Sequence, residues 1–199
     1  MSTVLQNVDH MLRRSRLYFN TVRHLKVKQI TGRLFRRGFG KKRLDVNVPT
    51  ALRGRLDPYA PYPAHNPWNT SAQLRKQVFC FLNEPQKLGC PTSWQPDMPL
   101  LWQFNLHYFN YLSLLNTKEQ HALCRDWIAQ NPVGTQPGWY AYPTSLRVIN
   151  WCKADLQAQD VLASLYQQAA YVYRNLETHI LGNHLLENAR ALIFAGCFF

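Results

Sequence analysis

The sequence predicts an all-α protein: helical hairpins follow a basic helical arm and an irregular segment rich in proline and aromatic residues. Three observations predict it. Over much of residues 100–199 apolar side chains recur at three- and four-residue spacings, the pattern of one buried stripe on a helix. Prolines crowd into the stretch before, where nine of the twelve fall between Pro49 and Pro99. Basic charge crowds at the front: residues 1–43 hold twelve Lys and Arg against one acid, Asp9, while the remainder holds eleven against ten. The chain accordingly divides into an arm over 1–44, a wrapping segment over 45–99 and the start of a helical domain over 100–199.

Composition narrows the class. At about 150 residues per domain, 199 residues make one domain with an appendage. Hydrophobic residues at 46% and charged ones at 17% supply a core and exclude a disordered chain. No run of about 18 apolar residues provides a transmembrane segment. The N-terminus MSTVLQNVDHMLRRSR has no apolar core of the kind a signal peptide needs, which predicts a cytoplasmic location. Five scattered cysteines, Cys80, Cys90, Cys124, Cys152 and Cys197, form no CxxC pair and read as idle or buried thiols, and nothing in the spacing favours a Cys80–Cys90 bridge.

In the arm, Val4, Val8, Met11, Leu12, Leu17, Tyr18, Val22, Leu25 and Ile30 give helical spacing, broken by Gly32, Gly38 and Gly40. Its basic face is either a solvated surface or a contact for an anionic partner; no motif for specific nucleic-acid recognition accompanies it. Proline disfavours helix in the wrapping segment, which admits one short strand, Gln77–Leu82, and whose Tyr59, Tyr62, Trp68 and Trp94 are expected to be buried. Helices are then expected over Gln103–Leu115, over Lys118–Gln130 with Thr117 as cap, from Thr144 or Ser145 to about Gln157, over Asp160–Ile180, and from Asn183 onward. The terminal run LIFAGCFF is apolar in mid-helix and predicts that the chain is the front of a longer protein.

The chemistry-bearing segment is His179–Arg190. Gly182 separates two helical patterns, which places the Asn183 amide and the His184 imidazole near a helix N-terminus, where free N–H groups favour negative charge. Asn183 can donate to a carboxylate, and His184 can move a proton near neutral pH. Glu187, Asn188 and Arg190 lie within reach of the same helical end. The plainer alternative makes Asn183 a cap with His184 in the first turn. Arg147, Asn150 and Trp151 share a helical face beside Tyr142; arginine suits a sugar carboxylate and tryptophan a sugar face, or the pair is a buried tie and core. Trp102, His107 and Tyr108 read as a core cluster. His10, His24, His65 and His121 have no ligand spacing around them, so no metal site is assigned.

The stretch GNHLLENARALIFAG resembles the Asn-His helix of the heparinase II/III-like polysaccharide lyases. LWQFNLHYFNYL (Leu101–Leu112), GWYAYPTSLRVINWCK (Gly138–Lys153) and YFNTVRHLKVKQITGRLFRR (Tyr18–Arg37) resemble the same group, particularly relatives from bacterial exopolysaccharide systems. The resemblance implies an incomplete (α/α) toroid with a sugar cleft, completed by later hairpins and a β-sandwich outside these residues. It implies β-elimination on a uronic acid-containing polysaccharide such as alginate or a glycosaminoglycan, with no cofactor. A base removes the C5 proton, and an acid helps the 4-linked sugar leave. By position Asn183 would neutralise the substrate carboxylate, and His184 would transfer the proton or share that role. Tyr142, Arg147, Asn150, Trp151 and Glu187 would contact the sugar. The family's tyrosine acid and further histidine have no matching position, so the 199 residues alone are expected to be inactive. Relatives with leader peptides act in the periplasm, an alternative to the cytoplasm.

Two other functions fit the residues. A helical cleft with a basic clamp suits a non-catalytic protein that binds acidic polysaccharide during exopolysaccharide synthesis or export. The arm alone suits a basic helical interaction or RNA-binding module.

Overall fold

The computed structural model describes residues 13–20, 23, 25–27, 29, 31–32, 46–55 and 68–199. Expectations for His10, His24, Tyr59, Tyr62 and His65 lie outside the described residues. The chain forms two compact units. In the first, Met1–Lys41 with Thr178–Leu181, residues 13–20 are helical and exposed, and Gln29 donates from Nε2 to the Ile180 carbonyl at 3.2 Å.

The second unit, Lys42–Glu177 with Gly182–Phe199, is predominantly helical. Helix α1 (Ser71–Arg75) begins at a capping box, in which the Thr70 hydroxyl accepts from the Gln73 N–H and Gln73 bonds back to the Thr70 backbone. Strand β1 (Val78–Phe81) follows, one residue inside each end of the expected strand, and pairs antiparallel with β2 (Glu84–Lys87). Leu82 and Asn83 both adopt positive φ, the two-residue hairpin geometry whose twist matches the strands. Phe79 and Phe81 point inward from β1, while every β2 side chain is exposed.

Helix α2 (Leu100–Tyr108) stops where Phe109 enters the left-handed region, so the helix expected to Leu115 gives way to a 3-10 turn at Leu112–Leu114. Helix α3 (Thr117–Gln130) is capped by Asn116 rather than Thr117. The Asn116 side chain accepts from Glu119 N, and Glu119 returns a bond to Asn116 N; Glu119 stands three residues after Asn116, the spacing the box requires. Helix α4 (Ala141–Ala154) starts three residues before Thr144 and ends at Asp155 in the left-handed region. Helix α5 (Gln159–Arg174) ends six residues before Ile180: Asn175 leaves helical dihedrals and its amide takes the Tyr171 carbonyl. Helix α6 is Gly182–Phe198.

The helices pack on one another directly. α4 lies against both α2 and α6, α3 lies against α5, and α5 also packs on α4 and α6. This explains the composition of α4, which is buried on most of its circumference and carries little helical contrast. The core is aromatic. Trp94 stacks on Phe109 at 5.4 Å, and Trp151 meets Phe109 and Trp127 edge-on. Trp102 and Tyr108 are buried as expected, as is Trp94, but Trp68 is half-exposed. All five cysteines are free.

His107 is fully buried in this core with both nitrogens engaged. Nε2 lies 3.0 Å from the Trp94 carbonyl and so must donate, while Nδ1 accepts from Trp127 Nε1–H at 3.0 Å. Gly138 is required here, because a Cβ at that position would stand 2.9 Å from His107 Nδ1. Protonating Nδ1 would set a donor against the indole N–H. Burial first, and the Arg147 charge second, push the His107 imidazole down to about 3. Between about 3 and the usual imidazole value of about 6.5, the unfolded chain binds this proton and the native state does not. Stability therefore falls as pH drops through that window, by up to about 1.4 kcal/mol per pH unit from this group. Urea unfolding at a series of pH values tests this: His107→Gln should flatten the acid-side slope, and an unchanged slope would contradict it.

Candidate functional site

Helices α4 and α6 pack directly on each other, and their facing residues form a polar cluster. Tyr142, the second residue of α4, is half-buried, with its ring centroid 4.4 Å from that of His184 near the start of α6. Asn183, one residue earlier and exposed, hydrogen-bonds the Tyr142 hydroxyl. On its other edge Tyr142 meets Tyr108 at 5.9 Å, ring edge to face. Burial raises the Tyr142 hydroxyl above the ordinary tyrosine value and the Glu187 charge adds to this, against the opposing Asn183 bond. Burial likewise raises Tyr108. The two phenols are therefore held protonated at neutral pH.

Behind His184 lies a chain of buried polar groups. Glu177 Oε2 stands 3.1 Å from His184 Nδ1. Asn188, fully buried, accepts from the Glu177 N–H at 2.8 Å and donates to Ser145 Oγ at 3.0 Å; its Nδ2 lies 3.4 Å from Glu177 Oε2. Ser145 in turn donates to the Ala141 carbonyl at 2.8 Å, one turn back in α4. The cluster is thus pinned to the backbone of both helices.

Of the residues selected from sequence, the fold brings Tyr142, Asn183, His184 and Glu187 together. Glu187 is bridged to Arg190 at 2.6 Å. Asn150 sits on the flank, with Nδ2 donating to the Tyr108 carbonyl at 2.8 Å and to Asn110 Oδ1 at 2.6 Å. Arg147 and Trp151 do not join them. Both are fully buried, so the assignment of these two to sugar contact is corrected: they are the buried tie and the core. Arg147 donates to Gln168 Oε1 at 2.7 Å and to the Gly138 carbonyl at 3.0 Å, with longer bonds to the His107 carbonyl and the Thr144 hydroxyl. Its guanidinium lies 3.8 Å from the centre of a Trp127 ring. Burial pushes Arg147 down to about 9, so it is still charged at neutral pH.

Asn188 stands four residues after His184 on one helix, the spacing that put it within reach of this end in the sequence. Tyr108 read there as core, and Ser145 and Glu177 were not selected for the site. Glu177 precedes the helix and carried no such signal.

Two concavities lie elsewhere in this unit. One of about 510 Å³ is lined by Leu74, Arg75, Phe79, Cys90, Glu119 and Asp126 among others. Another, of about 350 Å³, is lined by Trp127, Asn131, Trp139, Ser164 and neighbouring side chains. Among the described residues no group of three or more His, Cys, Asp or Glu side chains is placed to hold a metal ion, and no helix is long and apolar enough to cross a membrane. No family model, curated protein or solved structure matches this chain.

The Arg147 fork yields a stability test. Arg147→Met keeps the stem and removes every donor, leaving the Gln168 and Gly138 oxygens without that partner. The loss should be about 2–4 kcal/mol by urea unfolding. A change under about 0.5 kcal/mol would show that the fork does not hold the core.

Proposed function

We propose that this chain is the toroid-forming N-terminal part of a heparinase II/III-like polysaccharide lyase, which cleaves a uronic acid-containing polysaccharide by β-elimination. The observation that carries the reading is the placement of Asn183 and His184 together beside Tyr142, at the exposed start of α6. Two further features support it. Helix α4 lies against both α2 and α6, and α3 against α5, contacts that are compatible with helical hairpins packed side by side. The four stretches that resemble the family also occur in the family's order.

The proton at C5 of a uronate is weakly acidic while the neighbouring carboxylate keeps its charge. An amide that hydrogen-bonds the carboxylate favours the enolate-like transition state over the ground state. Asn183 supplies that amide. One amide N–H is set toward the Tyr142 oxygen, where it favours the ionised phenol, and the other remains for the substrate. His184 accepts the C5 proton or shares in its transfer. Tyr142 and Glu187 border the sugar position, and Asn150 flanks it. The remaining tyrosine and histidine of the family chemistry come from later hairpins, with the β-sandwich beyond them, so the 199 residues alone are inactive.

A second reading has its own observation. Residues 13–20 form an exposed helical stretch containing Arg13, Arg14 and Arg16, which suits a polyanion clamp in a protein that binds acidic polysaccharide without cleaving it.

Unsaturated-uronate absorbance separates the two when uronate polymers are given to the longer protein that contains this chain. The lyase reading expects product, with Asn183→Ala and His184→Ala each lowering kcat by about 10²–10⁴. No product with any uronate polymer, or unchanged activity in both variants, would remove it.

A further inference from the structure

We propose that Glu177 is a positioning residue: it fixes the tautomer of His184, so that Nδ1 carries the proton and Nε2 is the bare, proton-accepting nitrogen. The consequence for catalysis rests on the lyase reading; the tautomer itself does not.

The orientation follows from groups whose hydrogen-bonding roles are unambiguous. The Glu177 backbone N–H can only donate, so the Asn188 atom 2.8 Å away is its oxygen. The Asn188 amide nitrogen then faces Ser145 Oγ at 3.0 Å and Glu177 Oε2 at 3.4 Å. Oε2 is thereby set as an acceptor on one side, and its other neighbour is His184 Nδ1 at 3.1 Å. An ionised carboxylate has no proton to give, so Nδ1 must supply the hydrogen of that bond. In a neutral imidazole this leaves Nε2 without one.

The geometry is held on several sides. The Glu177 side chain is only 8% exposed, against 30% for His184, so water competes little for the carboxylate while the imidazole keeps an open edge. The Tyr142 ring, 4.4 Å away and tilted by 37°, covers one face of the imidazole. Asn188 is anchored through Ser145 to α4, so the amide that faces the Glu177 carboxylate is itself fixed.

In the elimination, the C5–H bond breaks and its proton forms an Nε2–H bond. The electron pair passes into the enolate stabilised through Asn183. The imidazolium so formed lies against Glu177, which takes no proton and acts by charge and orientation alone. The same division of labour between base and orienting carboxylate recurs in unrelated hydrolase triads.

The test is long-range proton–nitrogen NMR on the full 199-residue chain at about pH 8, above the usual imidazole range. Loss of one set of signals in His184→Gln assigns that residue among the seven histidines. The expected pattern is a protonated Nδ1 and a bare Nε2. Glu177→Gln should keep it, since the side-chain oxygen facing Asn188 still accepts. Glu177→Ala should shift both nitrogens toward a tautomer mixture. A protonated Nε2 in the unmodified chain, or an unchanged pattern in Glu177→Ala, would overturn the proposal. If Glu177→Ala does not fold, the unmodified spectrum decides alone: protonated Nδ1 supports the proposal and protonated Nε2 overturns it. The two readings fail separately. Nδ1–H without lyase activity in the longer protein would sink only the lyase reading, and Nε2–H in an active one would sink only this assignment.

Discussion

The arrangement of the helices depends on a buried cation that meets no carboxylate among the described residues. Arg147 projects from the middle of α4, and its fork reaches α5 through Gln168, the end of α2 through the His107 carbonyl, and the turn before α4 through Gly138. A charge taken out of water is costly unless every donor is met and the surroundings are polarisable. Here carbonyl, amide and hydroxyl oxygens accept four bonds from the fork, and the Trp127 face covers the guanidinium plane. Replacing the fork by a point charge such as lysine would lose the geometry that joins three segments. The register of α4 against its neighbours is set by that geometry, and the register places Tyr142 and Ser145 opposite α6.

The candidate site is an extension of the same logic toward the surface. Polar groups run from the fully buried Ser145 and Asn188 through Glu177 to the half-buried His184, each bonded to the next. A satisfied network of this kind rigidifies what it supports. It holds the His184 ring from behind and leaves its open edge accessible, as differential stabilisation of a transition state requires.

Much of the fold was legible in the sequence, and the misreadings have specific causes. The stripe Val161, Leu162, Leu165, Val172 placed α5 correctly, but Leu176 and Ile180 continue the same period after Asn175 has already turned the chain. Asn116 and Thr117 are both good caps; only the position of Glu119 selects the first. Spacing put Arg147, Asn150 and Trp151 on one face without saying which way the face turns, and in a helix enclosed on most sides Arg147 and Trp151 turn inward while Asn150 stays at the flank. Asn183 and His184 were visible as a polar pair at a helical joint. Asn188 was within reach of that joint by its spacing, but Glu177 was not visible, because it precedes the helix and meets Asn188, eleven residues on, only after the chain has turned between α5 and α6.

The central claim is that Asn183 and His184 face an acidic sugar. The most direct measurement is a nitrogen-15 NMR titration of the 199-residue chain with a saturated oligouronate, reading the Asn183 side-chain amide and the His184 ring. Dose-dependent shifts centred on these two and on Tyr142 are the predicted result. Shifts confined to the basic residues 13–43, with the Asn183 amide unmoved at saturation, would contradict the account.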